Sequence, residues 1–207
     1  MIFDMVTVGM VMTNCYLIAD ETNNVGIVVD PGAEPDRIME MVNKAGVKIK
    51  YIVLTHGHYD HCGAMEEIKK RTGCNTVIVH REDEAVLEDP ESNSSPWIAG
   101  RRLSYKADKL VEDGDIIKVG DIDITVKHTP GHTVGGISLI FDNKCVCGDA
   151  LFAGSVGRTD LKTGSMDDLH YSLDKVFKKL PDEMEVWPGH GPSSTIGREK
   201  KVNPYMK

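Results

Sequence analysis

At 207 residues the chain is long enough for a sizeable core and is read as one domain spanning residues 1–207. Its 41% hydrophobic and 27% charged residues are those of an ordinary soluble protein, and no apolar run approaches the roughly 20 residues that span a bilayer. A net charge of −8 disfavours nucleic acid as a partner, and the start Met1-Ile2-Phe3-Asp4 lacks the basic, then apolar, pattern of a secretory signal, so the expected compartment is the cytoplasm.

The first thirty residues read as three short strands, Met5–Val8, Cys15–Ala19 and Gly26–Val29, the last running into the turn Asp30-Pro31-Gly32. Asp30 is either a turn carboxylate or a hydrogen-bond partner for a metal-bound histidine. A helix is expected from Pro35 to Ala45, with proline in its first turn, Ile38, Met41 and Val42 on one face, and Gly46 as its stop. The apolar run Tyr51–Leu54 reads as a buried strand. It delivers Thr55-His56-Gly57-His58-Tyr59-Asp60-His61, where three imidazoles and one carboxylate fall within the six residues 56–61. These are the donors that zinc and similar metals take.

A helix is expected from about Asp60 to Thr72, a strand over Thr76–His80 and a helical piece near Glu82–Leu87. Glu88–Gly100, with two prolines and three serines, reads as a long loop. Its Trp97 either walls a substrate pocket or, as a loop tryptophan more often does, tucks into the core. Ile116–Val119, Ile122–Val126, Ile137–Phe141 and Lys144–Cys147 read as strands, Met166–Leu180 as a helix begun by Ser165, Val186-Trp187 as a strand, and the residues from about Gly197 to before Pro204 as a last helix. Two α/β halves are therefore expected to pack sheet to sheet with helices outside. The five cysteines, 15, 62, 74, 145 and 147, have no CxxC spacing and read as reduced thiols, with Cys145 and Cys147 on opposite faces of their strand.

Three later donors share the setting of the first cluster. His132 in Thr129-Pro130-Gly131-His132, Asp149 in Cys147-Gly148-Asp149 and His190 in Pro188-Gly189-His190-Gly191 each follow a strand and lie beside glycine. Singly, each is a turn residue in solvent. Together with His56, His58, Asp60 and His61 they make five histidines and two aspartates, too many for one tetrahedral zinc and suited to two ions roughly 3.5–4 Å apart.

The His56–His61 motif resembles the signature of the metallo-β-lactamase superfamily. His128–Thr133, Gly148–Phe152, Gly157-Arg158 and Pro188–Gly191 resemble its glyoxalase II branch, the hydroxyacylglutathione hydrolases. The resemblance implies a four-layer αββα sandwich, an α/β (α+β) fold of two mixed sheets with helices outside. It implies His56, His58 and His132 on one metal, Asp60, His61 and His190 on a second, and Asp149 bridging. The cofactors are then two divalent ions, zinc first, with iron or manganese as substitutes. The chain ends seventeen residues past His190, so the C-terminal glutathione-binding helical domain of full-length glyoxalase II is expected to be absent.

The implied activity is hydrolysis of a small-molecule thioester, such as S-lactoylglutathione or a related acyl thioester, by a metal-bridging hydroxide that Asp60 orients. Arg158 would contact an anionic substrate or hold a loop. His80, His128 and His170 are not expected to be ligands; the first exception to weigh is His128, four residues before His132, as a hydrogen-bond partner of a ligand. The alternatives are a persulfide dioxygenase with a single iron on His56, His132 and Asp149, a lactonase or β-lactamase on the same metals, and, last, a metal-binding module without activity. No membrane partner is expected, and the oligomeric state is left open.

Overall fold

Short apolar and β-prone runs separated by turns form two six-stranded sheets in the computed structural model, which describes residues 1–207. The chain runs β1 (Ile2–Val8), β2 (Thr13–Asp20), β3 (Val25–Val29), α1 (Pro35–Ala45), β4 (Lys48–Val53), α2 (Tyr59–Cys62), α3 (Met65–Thr72) and β5 (Val77–His80). It continues through α4 (Glu84–Glu88), α5 (Pro90–Asn93), α6 (Ser95–Ile98), β6 (Lys109–Val111), β7 (Ile116–Val119), β8 (Ile122–His128), β9 (Ile137–Phe141) and β10 (Lys144–Gly148). It ends with α7 (Met166–Lys175), β11 (Glu185–Pro188), β12 (Ser194–Thr195) and α8 (Ile196–Val202). The first sheet is ordered β1-β2-β3-β4-β5-β6 and the second β12-β11-β10-β9-β8-β7. Both are mixed: β3 through β6 pair in parallel after an antiparallel start, and β10–β11 is the parallel pair of the second sheet.

Three apolar clusters define four layers. Ile38, Met41 and Val42 of α1 and Met65 and Ile68 of α3 pack on Cys15, Leu17, Val28 and Ile52 of the first sheet. The opposite faces, with Tyr16, Ile18, Ile27 and Val53, meet Ile124, Val126, Leu139 and Val146 of the second sheet. Leu169 and Leu173 of α7 and Ile196 of α8 cover the far face at Cys145, Cys147 and Val186. The expected αββα sandwich is the fold found. Strands buried on both faces read as unbroken apolar runs, as Cys15–Ala19 does. All five cysteines are free and buried. Cys145 and Cys147 lie in the same helix-facing cluster, because residues two apart share a face; the expectation that they oppose each other is wrong.

Several boundaries differ from the sequence reading for local reasons. The helix expected from Asp60 to Thr72 is broken at Gly63-Ala64, where Ala64 N–H donates to Pro31 O at 2.9 Å and seats the chain on the Asp30–Gly32 turn. The stretch expected as a loop, Glu88–Gly100, holds α5 and α6, and both prolines sit in helix first turns rather than acting as breakers. The helix expected to reach Leu180 stops at Lys175; Phe177–Lys179 continues it as a tighter turn. The edge strands β6 and β12, three and two residues long, carry too little periodicity to be read.

One carboxylate ties the two sheets at their far end. Asp20, ending β2, accepts from Asp121 N (2.8 Å) in the β7–β8 turn, from Asn23 Nδ2 (2.6 Å) and from the backbone N–H of Thr22 and Asn23. Those bonds, Asp121 foremost, lower its pKa from 3.8 to about 2. A carboxylate depressed on folding adds stability above its unfolded value and loses it as pH falls through the folded one. Asp20→Asn is therefore expected to flatten the pH dependence of unfolding between 3.8 and about 2, read by urea titrations at stepped pH; equal slopes in both proteins would refute the assignment.

Candidate metal centre

Four strand ends, one from the first sheet and three from the second, deliver the donors to one edge of the sandwich. β4 ends at Val53 and leads through Thr55 to His56, His58, Asp60 and His61; β8, β10 and β11 end just before His132, Asp149 and His190. Glycines let these loops approach. At Gly189 a Cβ would lie 2.1 Å from Asp149 Oδ1 and 2.7 Å from His61 Cε1. Gly131 has φ +133°, and a Cβ there would lie 2.4 Å from Leu169 Cα, so only glycine lets the His132 loop lie on α7.

The structure brings all seven predicted donors together. His56, His58 and His132 form one group; Asp60, His61 and His190 form another; His56, His61 and Asp149 link them. His58 Nδ1 and His132 Nε2 are 2.9 Å apart. His190 Nε2 is 3.2 Å from Asp60 Oδ2, and His61 Nε2 is 3.6 Å from the same oxygen. Asp149 reaches both groups: Oδ1 is 3.5 Å from His61 Nε2, and Oδ2 is 3.5 Å from His132 Nε2 and 3.4 Å from His190 Nε2.

Hydrogen bonds on the outer ring nitrogens fix the tautomers. His61 Nδ1 donates to Asp30 Oδ2 (2.9 Å), His132 Nδ1 to Arg158 O (2.7 Å) and His190 Nδ1 to Val11 O (3.0 Å). Thr55 Oγ1 donates to Asp30 Oδ2 (2.6 Å), which leaves its lone pair to accept from His56 Nδ1 at 3.2 Å. Each of these four imidazoles thus turns its Nε2 inward. His56 Nε2 and Asp149 Oδ1 are buried with no hydrogen-bond partner, a costly arrangement unless a cation satisfies them. Nitrogen lone pairs beside carboxylate oxygens are a donor set that fits divalent ions.

The protonation equilibria divide along the same line. Burial, then neighbouring His132, pushes His58 down to about 3, and burial takes His56 well below its usual value. Burial opposes charge on His61 too, but Asp60, Asp149 and Asp30 outweigh it and raise that ring to about 9. His190 is likewise raised to about 11 against burial, by Asp149 and Asp60. His56 and His58 are therefore ready to bind a cation, while His61 and His190 must release protons to do so.

A cavity of about 720 Å³ opens over His58, Asp60, His132, Asp149 and His190. Trp97 and Arg158 both line it. Trp97 is 83% exposed, so the expectation of a tryptophan tucked into the core is wrong. α6 is a single turn anchored by Ser95, and it leaves the indole at the cavity mouth. The Arg158 guanidinium is forked onto Asp160 (2.6 and 2.8 Å), while its backbone carbonyl holds His132. His128 does not join the cluster. Its ring stacks on His80 with centroids 4.1 Å apart and its Nε2 donates to Val134 O, since the strand end at His128 turns its side chain away from His132.

Sequence reasoning missed Asp83. This buried carboxylate accepts from Gly57 N (2.7 Å), Gly135 N (2.7 Å) and Thr133 Oγ1 (2.9 Å), clamping the His56–His58 loop to the His132 loop. Burial lifts its pKa above the usual carboxylate value, and the three donors pull it part of the way back. It follows β5 as the other donors follow their strands, a signal that an acidic run, Glu82-Asp83-Glu84, conceals.

Residues 8–190 match the family model of the metallo-beta-lactamase superfamily. The hydroxyacylglutathione hydrolase GloC of Haemophilus influenzae is 33% identical over 196 residues, covering 93% of this chain and 92% of its own. Among solved structures, the BLEG-1 B3 metallo-beta-lactamase has a TM-score of 0.92 at 31% identity, with 100% of both chains covered. TTHA1623, solved in a di-iron-bound form, has a TM-score of 0.85 at 31% identity, covering 98% of this chain and 99% of its own.

Proposed function

This chain belongs to the metallo-beta-lactamase superfamily, and we propose that it is a binuclear metal-dependent hydrolase that cleaves a small acyl thioester in the manner of glyoxalase II. One observation carries the reading: seven donors converge on one edge, with the outer nitrogens of four imidazoles already committed to protein acceptors. On this reading His56, His58 and His132 hold one ion, Asp60, His61 and His190 the other, and Asp149 lies between them. Zinc suits the histidine-rich half, and iron or manganese can replace it. The relative named for hydroxyacylglutathione hydrolysis supports the thioester, and the di-iron relative supports two ions.

When bound, divalent ions bring the pKa of a coordinated water towards 7 and polarise a carbonyl. The chain supplies the rest. Asp60 presents a carboxylate at the cavity floor, with Thr13 Oγ1 3.5 Å from its Oδ2, where it orients the attacking water and holds its proton. Asp30 keeps His61 in one tautomer and one ring orientation. The departing thiol, with an ordinary pKa of about 8.5, leaves as thiolate, so the site needs no strong general acid.

The test is metal stoichiometry measured alongside a substrate panel of S-lactoylglutathione, simple acyl thioesters, a lactone and a β-lactam. The expected result is two metals per chain and thioester turnover that falls at least a hundredfold on chelation and returns with zinc. One iron per chain, with oxygen consumed on glutathione persulfide, would overturn it in favour of the oxygenase.

A further inference from the structure

Three of the most exposed apolar side chains lie in or beside the walls of the cavities at the metal cluster, Trp97 in the main one, Met10 in a smaller neighbour and Met12 on the same turn as Met10. Met10 is 93% exposed, Met12 60% and Trp97 83%, the first two on the tight turn between β1 and β2. Exposed apolar groups clustered at one opening mark a binding surface. The turn is also fixed in place. Gly9 N donates to Glu34 Oε2 (2.8 Å), and Val11 O accepts from His190 Nδ1 (3.0 Å), so the wall is registered directly to a residue of the metal cluster.

Behind this turn lies a second cavity of about 220 Å³, between Val8–Val11 on one side and Ala33, Ile98 and Ala99 on the other. Val11, Asp60 and Ile98 line both cavities, so the side chamber adjoins the metal cluster at Asp60. Asp60 is the one charged residue in its wall. In the main cavity the only lysine or arginine is Arg158, and Asp160 occupies both Nε and Nη2 of its guanidinium. A glutathione moiety brings two carboxylates, and the one guanidinium there is already shared with Asp160. An uncharged hydrocarbon arm would find Val11, Trp97, Ile98, Phe152 and Leu161, and then the chamber.

We propose that the substrate is an uncharged thioester with an extended apolar arm on its acyl or its thiol side, and that this arm crosses the Val11–Ile98 ridge into the side chamber. This rests on the hydrolase reading above and names its substrate class. Burying a methylene is worth about 0.8 kcal/mol, about fourfold in rate at 1.36 kcal/mol per tenfold.

The experiment uses the zinc-loaded full chain and three probes. The first is N-acetylcysteamine thioesters from acetyl to hexanoyl; the second is acetyl thioesters of thiols from ethyl to hexyl; the third is S-lactoylglutathione. The expected result is kcat/KM rising about fourfold per methylene in one of the two series and exceeding that for S-lactoylglutathione. Whichever series rises identifies the arm. Ala99→Phe, which fills the chamber, is expected to flatten the slope. Ile98→Asp, which charges the ridge, should do the same should the first variant not fold. Flat slopes in both series, with S-lactoylglutathione preferred, would overturn the proposal. Binding of a hexyl thioether, read by tryptophan fluorescence, separates the two readings. A protein that binds it but hydrolyses no thioester refutes the hydrolase and leaves the apolar site standing. One that neither binds it nor favours long chains refutes the site.

Discussion

Asp149→Ala is expected to abolish hydrolysis and to lower the metal content from the proposed two ions per chain to one or none. The Asp149 carboxylate reaches both halves of the cluster: its two oxygens lie 3.4–3.5 Å from the inward nitrogens of His61, His132 and His190. Burial would raise its pKa, yet those three histidines hold it well below the usual carboxylate range, so it is an anion in the folded protein. Removing it leaves imidazoles without the negative charge that makes a dication welcome. Metal polarisation is worth several kcal/mol, so the rate should fall about a thousandfold or more. The measurements are kcat/KM on a thioester and metal content by mass spectrometry. Asp149→Asn, which keeps the shape and removes the charge, should fall between. A variant that keeps two metals and the full rate would sink the binuclear assignment.

The donors were legible in the sequence because each segment carries a local mark: an apolar run, then a histidine or aspartate beside a glycine. His56 to His61 show it within one turn, and His132, Asp149 and His190 repeat it. What the sequence withheld are the groups that act across distance. Asp30 reads equally as a turn carboxylate or a histidine's partner, and only the packing of the β3 end beside α2 gives it to His61, 31 positions away. The carbonyls of Val11 and Arg158 orient His190 and His132 through backbone atoms, which no side-chain pattern announces. Trp97 was misread for a different reason. Pro90 and Pro96 look like breakers but open two single-turn helices, and the second of these sets the indole at the cavity mouth instead of in the core.

Asp83 is where this blind spot has its largest consequence, and Asp83→Ala is expected to destabilise the protein severely. The carboxylate is fully buried and accepts from two backbone N–H groups and one hydroxyl, those of Gly57, Gly135 and Thr133. Alanine leaves all three donors buried and unpaired, each at about 1–3 kcal/mol. Because they share one site their losses do not simply add, and the expected total is about 3–5 kcal/mol, a large part of a typical domain's stability. For a chain of this size that lowers Tm by about 10 °C. Asn should be milder: its carbonyl oxygen can still take Gly57 and Thr133 at the Oδ2 position, while its amide meets the Gly135 N–H as donor against donor. The expected order of stability is wild type, then Asp83→Asn, then Asp83→Ala, measured by urea unfolding of the metal-free proteins so that metal affinity does not enter. The same two loops carry His56, His58 and His132, so zinc affinity, measured by chelator competition, should fall in that order too. An alanine variant within about 1 kcal/mol of wild type would show that water replaces the carboxylate, and that the loops are held by their strands alone.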